Sequence, residues 1–248
     1  MSGKSNYSFK KGLKDGLPIG LGYLSVSFAF GVQASIAGLP LLLAVLTSMT
    51  NLTSAGQLAG LNVIATASTF AVAVIEIILS QLIINARYFL MSLSLTQKMD
   101  VSFNLTNRLL CATFVTDEIF AVSSAKGRPF GKNYFLGLGL LPYIGWASGT
   151  LLGAAAGNIL PSVATNALKI ALYAMFIAII IPPSMLNKGV FFAVVLASAI
   201  SVAFYFAPLF ANISSGFAVI ITALVTALII AAIFPIKGTE KENKNETE

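Results

Sequence analysis

The chain has 248 residues, of which 57% are hydrophobic and only 10% are charged, and its formal net charge is +6. Soluble domains carry about 25% charged residues, so this composition excludes a water-facing globular surface. Only helices and closed barrels satisfy their backbone groups in lipid, and apolar runs such as residues 174–181 lack the alternation of barrel strands. The composition therefore predicts an all-α integral membrane protein.

The scarcity of reactive side chains limits the chemistry that the chain can perform. It has one cysteine, Cys111, and no histidine, which excludes an internal disulfide and removes the commonest general base and metal ligand. The Lys and Arg residues lie at the ends of apolar runs, where they act as topology signals instead of forming a nucleic-acid surface. We therefore expect no enzyme activity, no metal or other cofactor, and no nucleic-acid partner.

A membrane-spanning helix needs about 20 apolar residues, and several segments meet that length. Residues 39–67 differ, because the polar stretch TNLTSAGQ at 50–57 separates two short apolar segments and predicts a broken or re-entrant helix. Residues 103–125 form an amphipathic segment. The chain is thus predicted to hold about seven to eight transmembrane or re-entrant helices. The remaining predicted spans are 17–37, 70–95, 134–156, 167–181, 190–208 and 215–234.

The distribution of basic residues predicts the topology. Lysines at 4–14, basic residues at 126–132, Lys188 and Lys237 should face the cytoplasm, together with both termini. Either four crossings, or two crossings plus re-entrant segments, satisfy this pattern between residues 14 and 126. We expect a basic cytoplasmic N-terminus at 1–15, a single transport domain at 16–235 and a disordered tail at 236–248 in a bacterial cytoplasmic membrane protein.

The segment EIILSQLIINARYFLM at 76–91 places four polar side chains in an apolar run. A charge at the centre of a membrane helix costs about 2.5–3.5 kcal/mol, so each group must face protein, water or an interface. Glu76 and Arg87 share a helix face but lie about 16 Å apart, too far to pair. Each could extend to an interface, whereas an inward-facing Arg87 suits a substrate carboxylate. Gln81 and Asn85 suit hydrogen bonds between helices or, for Asn85, substrate contact.

Two other segments carry candidate functional residues. Gly56 and Gly60 form a G-x-x-x-G pattern that favours close helix packing, or an unwound stretch in which Gly56 and Gln57 contact a polar substrate. Asp117 and Glu118 are adjacent on a helix and cannot share a face. They either pair structurally near the cytoplasmic end or supply a protonatable group that couples transport to a proton gradient.

Several of these segments, in this order and spacing, resemble the AzlC-type branched-chain amino acid permease family. The resemblance extends over most of the chain and is carried by GLPIG at 16–20, SAGQ at 54–57, NARYFLM at 85–91, TDE at 116–118, Gly145-Trp146 and AMFIA at 174–178.

This resemblance implies an exporter of branched-chain amino acids with a small hydrophobic partner of the AzlD type. Arg87, Asn85, Gln57 and Gly56 would bind substrate, and Asp117 or Glu118 would couple the proton. The alternative is a membrane scaffold subunit that does not itself transport. The chain departs from the family pattern at Lys169, where the family usually carries an acid, and at Tyr173, where it often carries proline.

Overall fold

The computed structural model describes residues 8–126, 129–157, 159–210 and 213–234. In those ranges the chain is helical apart from short connections and one isolated bridge between Met99 and Phe130, which confirms the all-α prediction. Five of these helices are long and apolar enough to cross a membrane, namely α1, α4, α7, α9 and α10. The helices are α1 Phe9–Ile36, α2 Leu41–Thr50, α3 Ser54–Thr66, α4 Phe70–Thr96, α5 Leu105–Ala112, α6 Asp117–Ser124, α7 Lys132–Ala156, α8 Ser162–Leu186, α9 Lys188–Phe206 and α10 Ser215–Ile233.

Short polar side chains determine where most helices begin. The first four N–H groups of a helix lack intrahelical partners, and a Ser, Thr, Asn or Asp at the N-cap accepts one of these bonds. The capping side chains are Ser8, Thr53, Thr69, Asn104, Thr116, Asn187 and Ser214. Because Ser8 caps α1, this helix begins at Phe9, inside the segment predicted to be an N-terminal extension.

Glycines join α1 and α7 into a closely packed parallel pair. A Cβ on Gly12 would overlap the backbone of Tyr134, whereas a Cβ on Gly31 would overlap the backbone of Thr150. Residue numbers therefore increase together along the two helices, which means that both run in the same direction. Such close approach of backbones is typical of small residues in membrane helices. The other glycines in this seam are Gly16, Gly20, Gly137, Gly145, Gly149 and Gly153.

Helix α4 runs in the opposite direction. Just beyond its C-terminus, the Lys98 ammonium donates to the carbonyl oxygens of Ser124 and Lys126. Lys126 in turn pairs with Asp15, near the start of α1, at 2.8 Å. We call this end of residues 8–175 the basic end, and the opposite end, where α1 and α7 finish, the far end.

The helix pair α2–α3 starts and finishes at the far end. Ala44 of α2 packs with Phe30 and Ala154, and Leu61 of α3 packs against the same cluster. Residues 51–53, between the two helices, interrupt the segment within the predicted range 50–57. With 10 and 13 residues, the helices span only about 15 and 20 Å. The broken helix is confirmed, and both ends of the α2–α3 pair lie at the far end, an arrangement that favours a re-entrant segment over a crossing.

The helix pair α5–α6 starts and finishes at the basic end. Asn107 of α5 donates to the carbonyl oxygen of Ser102, and α6 finishes at Ser124, beside Lys98. Residues 113–116 interrupt the amphipathic segment 103–125, which therefore forms two short helices instead of one crossing helix. Each eight-residue helix spans only about 12 Å, less than half of a bilayer core.

The largest buried apolar cluster fills the basic end. It joins the end of α4, the pair α5–α6 and the start of α7. The far end holds only a small cluster around Phe30 and Ala44. The members of the large cluster are Leu95, Phe103, Cys111, Val115, Ile119, Phe130, Tyr134, Phe135 and Leu138.

The chain divides into two compact units, residues 1–175 and 176–248, with the boundary inside α8. In the second unit, α9 and α10 form an antiparallel pair. The single transport domain over 16–235 stays a prediction, and the tail at 236–248 lies outside the described residues. The backbone of Lys169 and Tyr173 belongs to α8.

Candidate substrate and coupling site

The two interruptions, residues 51–53 and 113–116, meet halfway along α7. The Tyr143 hydroxyl donates to the carbonyl oxygen of Met49, the penultimate residue of α2, at 3.1 Å. The ring of Tyr143 also packs edge-to-face on Phe114, with ring centroids 5.6 Å apart. Irregular backbone inside a membrane must be satisfied by protein or water. Tyr143 supplies such a partner and places both interruptions at the middle of the first unit.

Gln57 is the centre of a buried hydrogen-bond chain in the first turn of α3. Its carbonyl oxygen accepts from the Trp146 indole at 3.1 Å, and its amide donates to Ser48 at 2.8 Å. Ser48 shares a further bond of 2.6 Å with Thr150. Gln57 is only 3% exposed, so this chain lies in the protein interior and links α2, α3 and α7.

A second set of carboxamides surrounds Gln81 on α4. Its carbonyl oxygen accepts from Asn51 and Asn85, each at 3.0 Å, and its amide donates to the carbonyl oxygen of Gly56 at 2.8 Å. The predicted hydrogen bonding between helices is thus found at Gln81. The side-chain carbonyl oxygen of Asn85, Oδ1, is buried and has no hydrogen-bond partner among the described residues. An acceptor of this kind is suited to a donor group of a ligand.

Arg87 forms an ion pair with Asp117 at the start of α6. The two atoms, Nη1 and Oδ2, are 2.9 Å apart, and the side chains are 43% and 38% exposed. A second guanidinium nitrogen bonds the Tyr88 hydroxyl at 3.3 Å. In hydrocarbon, exposed charges at this depth would be costly. This face of α4 and α6 must therefore meet water or other protein.

Glu118 points away from Asp117, as their adjacent positions required. The Tyr23 hydroxyl of α1 donates to a Glu118 carboxylate oxygen. The Tyr23 ring packs edge-to-face on Trp146, with centroids 5.1 Å apart. Because Trp146 also bonds Gln57, a continuous series of contacts leads from the Glu118 carboxylate to the buried amide in α3.

The structure thus brings four of the six predicted residues into two groups. Gly56 and Asn85 meet through Gln81, and Arg87 meets Asp117. Gln57 follows Gly56 in sequence but turns toward α7. Glu118 reaches the other residues only through Tyr23.

The structure excludes one of the alternatives left open for Glu76 and one of those left open for Asp117 and Glu118. Glu76 is fully buried, so it does not extend to an interface. Asp117 and Glu118 lie at the interruption between α5 and α6 and not near the cytoplasmic end of a helix, because the segment turns back at 113–116.

Several residues of this site were not assigned from sequence. Tyr23, Ser48, Tyr143 and Thr150 are ordinary residues in apolar helices and carry no motif. One signal was present: TNLTS at 50–54 and TFVTD at 113–117 share the pattern T-x-aliphatic-T-S/D. In both segments the second threonine caps the helix that follows the interruption.

Comparisons with known proteins identify the family of this chain. The family model described as AzlC protein matches residues 18–160, which include every predicted site residue. An uncharacterized membrane protein of Archaeoglobus fulgidus is 31% identical over 176 residues, covering 70% of this chain and 75% of that protein.

The inner membrane protein YgaZ of Escherichia coli strain K12 is 29% identical over 155 residues, covering 61% of this chain and 62% of that protein. No solved structure gives a significant match. Since the family model covers more than half of the 248 residues, and a relative is matched over three quarters of its length, this chain belongs to the AzlC protein family and is a membrane protein.

Proposed function

We propose that this protein exports branched-chain amino acids across the bacterial cytoplasmic membrane in exchange for protons. The observation that carries the proposal is the meeting of two re-entrant helix pairs halfway along α7, with carboxamides, a guanidinium and two carboxylates around them. Transporters place their sites at interrupted helices near the bilayer midplane, where free backbone groups and polar side chains are protected from lipid. Membership of the AzlC family supports amino acid transport.

Arg87 would hold the substrate carboxylate. A guanidinium can bind a carboxylate through two parallel hydrogen bonds, and the Asp117 carboxylate, which pairs with one of its nitrogens, would compete with the substrate for it. Asn85 lies one half-turn away on α4, and its buried carbonyl oxygen would accept a hydrogen bond from the substrate ammonium. Gly56 and Gln57, in the first turn of α3 beside the interruption, would complete the site.

Asp117 and Glu118 would couple the proton. A carboxylate that binds either an ammonium group or a proton, but not both, exchanges one for the other. Export driven by proton entry requires such competition. The exposed side of the Arg87–Asp117 pair is where water would deliver protons.

Reconstituted vesicles preloaded with labelled leucine test the proposal. An inward-directed proton gradient should accelerate efflux, and Arg87→Ala should reduce both efflux and leucine affinity. Arg108→Ala is the matched control, because Arg108 bonds the Phe103 carbonyl oxygen at the basic end, away from the interruptions. Unchanged efflux and affinity in a normally folded Arg87→Ala protein would exclude Arg87 from the binding site.

We also propose that a small hydrophobic subunit of the AzlD type acts with this chain. Arg87 and Asp117 are each more than a third exposed, so their face of α4 and α6 has room for a polar surface of a partner. Efflux by this chain alone would exclude a scaffold role without transport. Efflux that appears only with the partner would indicate a shared pathway.

A further inference from the structure

A cavity of about 250 Å³ lies between α1, the α2–α3 pair and α4. Its apolar wall is formed by Phe30, Leu39, Leu61, Ile64 and Ile77. Its polar wall consists of Thr47, Asn51, Gln57 and Gln81, together with Gly56 and Gly60. The cavity therefore extends from the interruption at 51–53 toward the far end.

The lining chemistry suits an uncharged, branched aliphatic group. No charged side chain lines the cavity, so a buried carboxylate or ammonium would lack a counterion there. The carboxamides of Gln57 and Gln81 are engaged with Trp146, Asn85 and Gly56, which leaves the opposite wall to provide apolar contact. An aliphatic side chain would displace water from that wall and gain about 25 cal/mol per Å² of buried apolar surface.

The volume matches one small ligand. Pockets for drug-sized molecules measure about 300–1,000 Å³, whereas an apolar cavity of about 150 Å³ holds a benzene molecule. A space of about 250 Å³ thus accommodates a four-carbon side chain with part of its amino acid backbone, but leaves little room for larger groups.

The cavity is also correctly placed for the charged end of an amino acid. Gln81 belongs both to its lining and to the carboxamide set that includes Asn85. Arg87 follows Gln81 by six residues on α4, about 9 Å along the helix axis. A side chain in the cavity would therefore leave the polar groups of the amino acid directed toward Asn85, which shares the Gln81 face of α4.

We propose that this cavity is the side-chain pocket of the transporter and that Gly60, Leu61 and Ile77 set the size of the amino acid accepted. The inference rests on the proposed function. Gly60 would set the pocket size because it leaves space in the cavity. A Cβ there would meet only the Gln81 amide, at an ordinary contact distance of 3.8 Å. A side chain at position 60 would fill the cavity without overlapping the backbone.

Binding to the purified full-length chain can be followed by the fluorescence of Trp146, the only tryptophan, whose indole bonds a residue of the cavity lining. Leucine and isoleucine should bind more tightly than alanine. One methylene in an apolar pocket changes discrimination by about 10–200-fold. Gly60→Ala and Gly60→Val should lower the affinity for leucine by about tenfold or more, while changing the affinity for alanine little.

Enlarging the pocket gives the opposite result. Ile77→Ala should raise the affinity for phenylalanine relative to leucine by about tenfold. Ile78→Ala, at the next position on α4, is the matched control, since Ile78 is 54% exposed and does not line the cavity. It should behave like the wild-type chain.

The outcomes separate this inference from the proposed export. If the Gly60 and Ile77 variants bind leucine as tightly as the wild-type chain does, the pocket assignment is overturned even if efflux is normal. The same holds if the chain binds none of these amino acids. Binding that follows the cavity variants in a protein without efflux would support the pocket and contradict export.

Discussion

At the scale of single residues, several buried polar groups of the first unit bond one another across helices. Gln57 is the clearest example, because its amide and carbonyl oxygen bond Ser48 and Trp146. A side chain that is 3% exposed and fully engaged is costly to replace. The same arrangement explains why Gln57 holds α3 against α7 whether or not it also contacts substrate.

Replacing Gln57 with leucine should destabilise the protein by about 1–3 kcal/mol, because the Trp146 indole N–H would be left buried without an acceptor. Thermal unfolding of the purified protein in detergent measures this change. Thr50→Val is the control, since Thr50 is exposed and bonds only within its own helix. Equal melting temperatures for Gln57→Leu and the wild type would mean that the Trp146 bond adds no stability.

Tyr23 and Glu118 should act as a pair. Tyr23→Phe removes the hydroxyl that bonds the Glu118 carboxylate but keeps the ring contact with Trp146. A hydrogen bond to a charged group contributes about 1.5–3 kcal/mol, which corresponds to roughly a tenfold or greater effect on proton-driven efflux. The variants Tyr23→Phe and Glu118→Gln and their combination form a double-mutant cycle. Strictly additive losses would show that the two residues act independently.

At the scale of elements, glycine determines how α1 and α7 pack. Gly149 and Gly153 have the small-x-x-x-small spacing that is typical of helix packing, and they lie against Leu24 and Phe28 of α1. The sequence did not indicate which helix would be the partner. Backbones this close leave no space for a side chain, so the seam depends on glycine for its lack of a Cβ atom.

Gly149→Ala should therefore destabilise the protein by about 1–3 kcal/mol or more, because its Cβ would overlap the Leu24 carbonyl oxygen and force the helices apart. Gly22→Ala is the matched control on α1, since nothing lies within 4 Å of its added Cβ. Alanine favours helix over glycine by up to about 1 kcal/mol, so Gly22→Ala should be neutral or slightly stabilising. Similar melting temperatures for the two variants would contradict the packing of this seam.

At the scale of the whole molecule, the two re-entrant pairs decide the topology. Counting basic residues allowed either four crossings or two crossings with re-entrant segments between residues 14 and 126. Because α1 and α7 are parallel and α4 is antiparallel to them, two crossings with re-entrant segments between residues 14 and 126 fit, whereas four crossings do not. The assignment of the basic end to the cytoplasm follows from the positive-inside rule and stays a prediction.

Single cysteines in a Cys111→Ser background test this topology. Ala37→Cys and Ser68→Cys flank the α2–α3 pair and should react with a membrane-impermeant maleimide from the same side. Gln97→Cys and Ala125→Cys flank α5–α6 and should both react from the other side. If residues 37 and 68 were labelled from opposite sides, the α2–α3 pair would cross the membrane.

Local sequence is sufficient to predict the membrane class, the helical fold, the positions of the long helices and the interruption near residues 50–57. These features depend on local hydropathy, length and capping, which neighbouring residues specify. It also indicated polar groups that lipid would not tolerate, among them Arg87, Asp117 and Glu118.

The packing of helices that are distant in sequence sets the partners of those groups. The same packing makes both broken segments turn back. Tyr23 and Glu118 are 95 residues apart in sequence, and Ser48 and Thr150 are 102 apart. Contacts over such separations depend on how helices pack, and helical periodicity describes each helix alone. The depth reached by residues 51–53 and 113–116 is set in the same way, by Tyr143 and the helices around it.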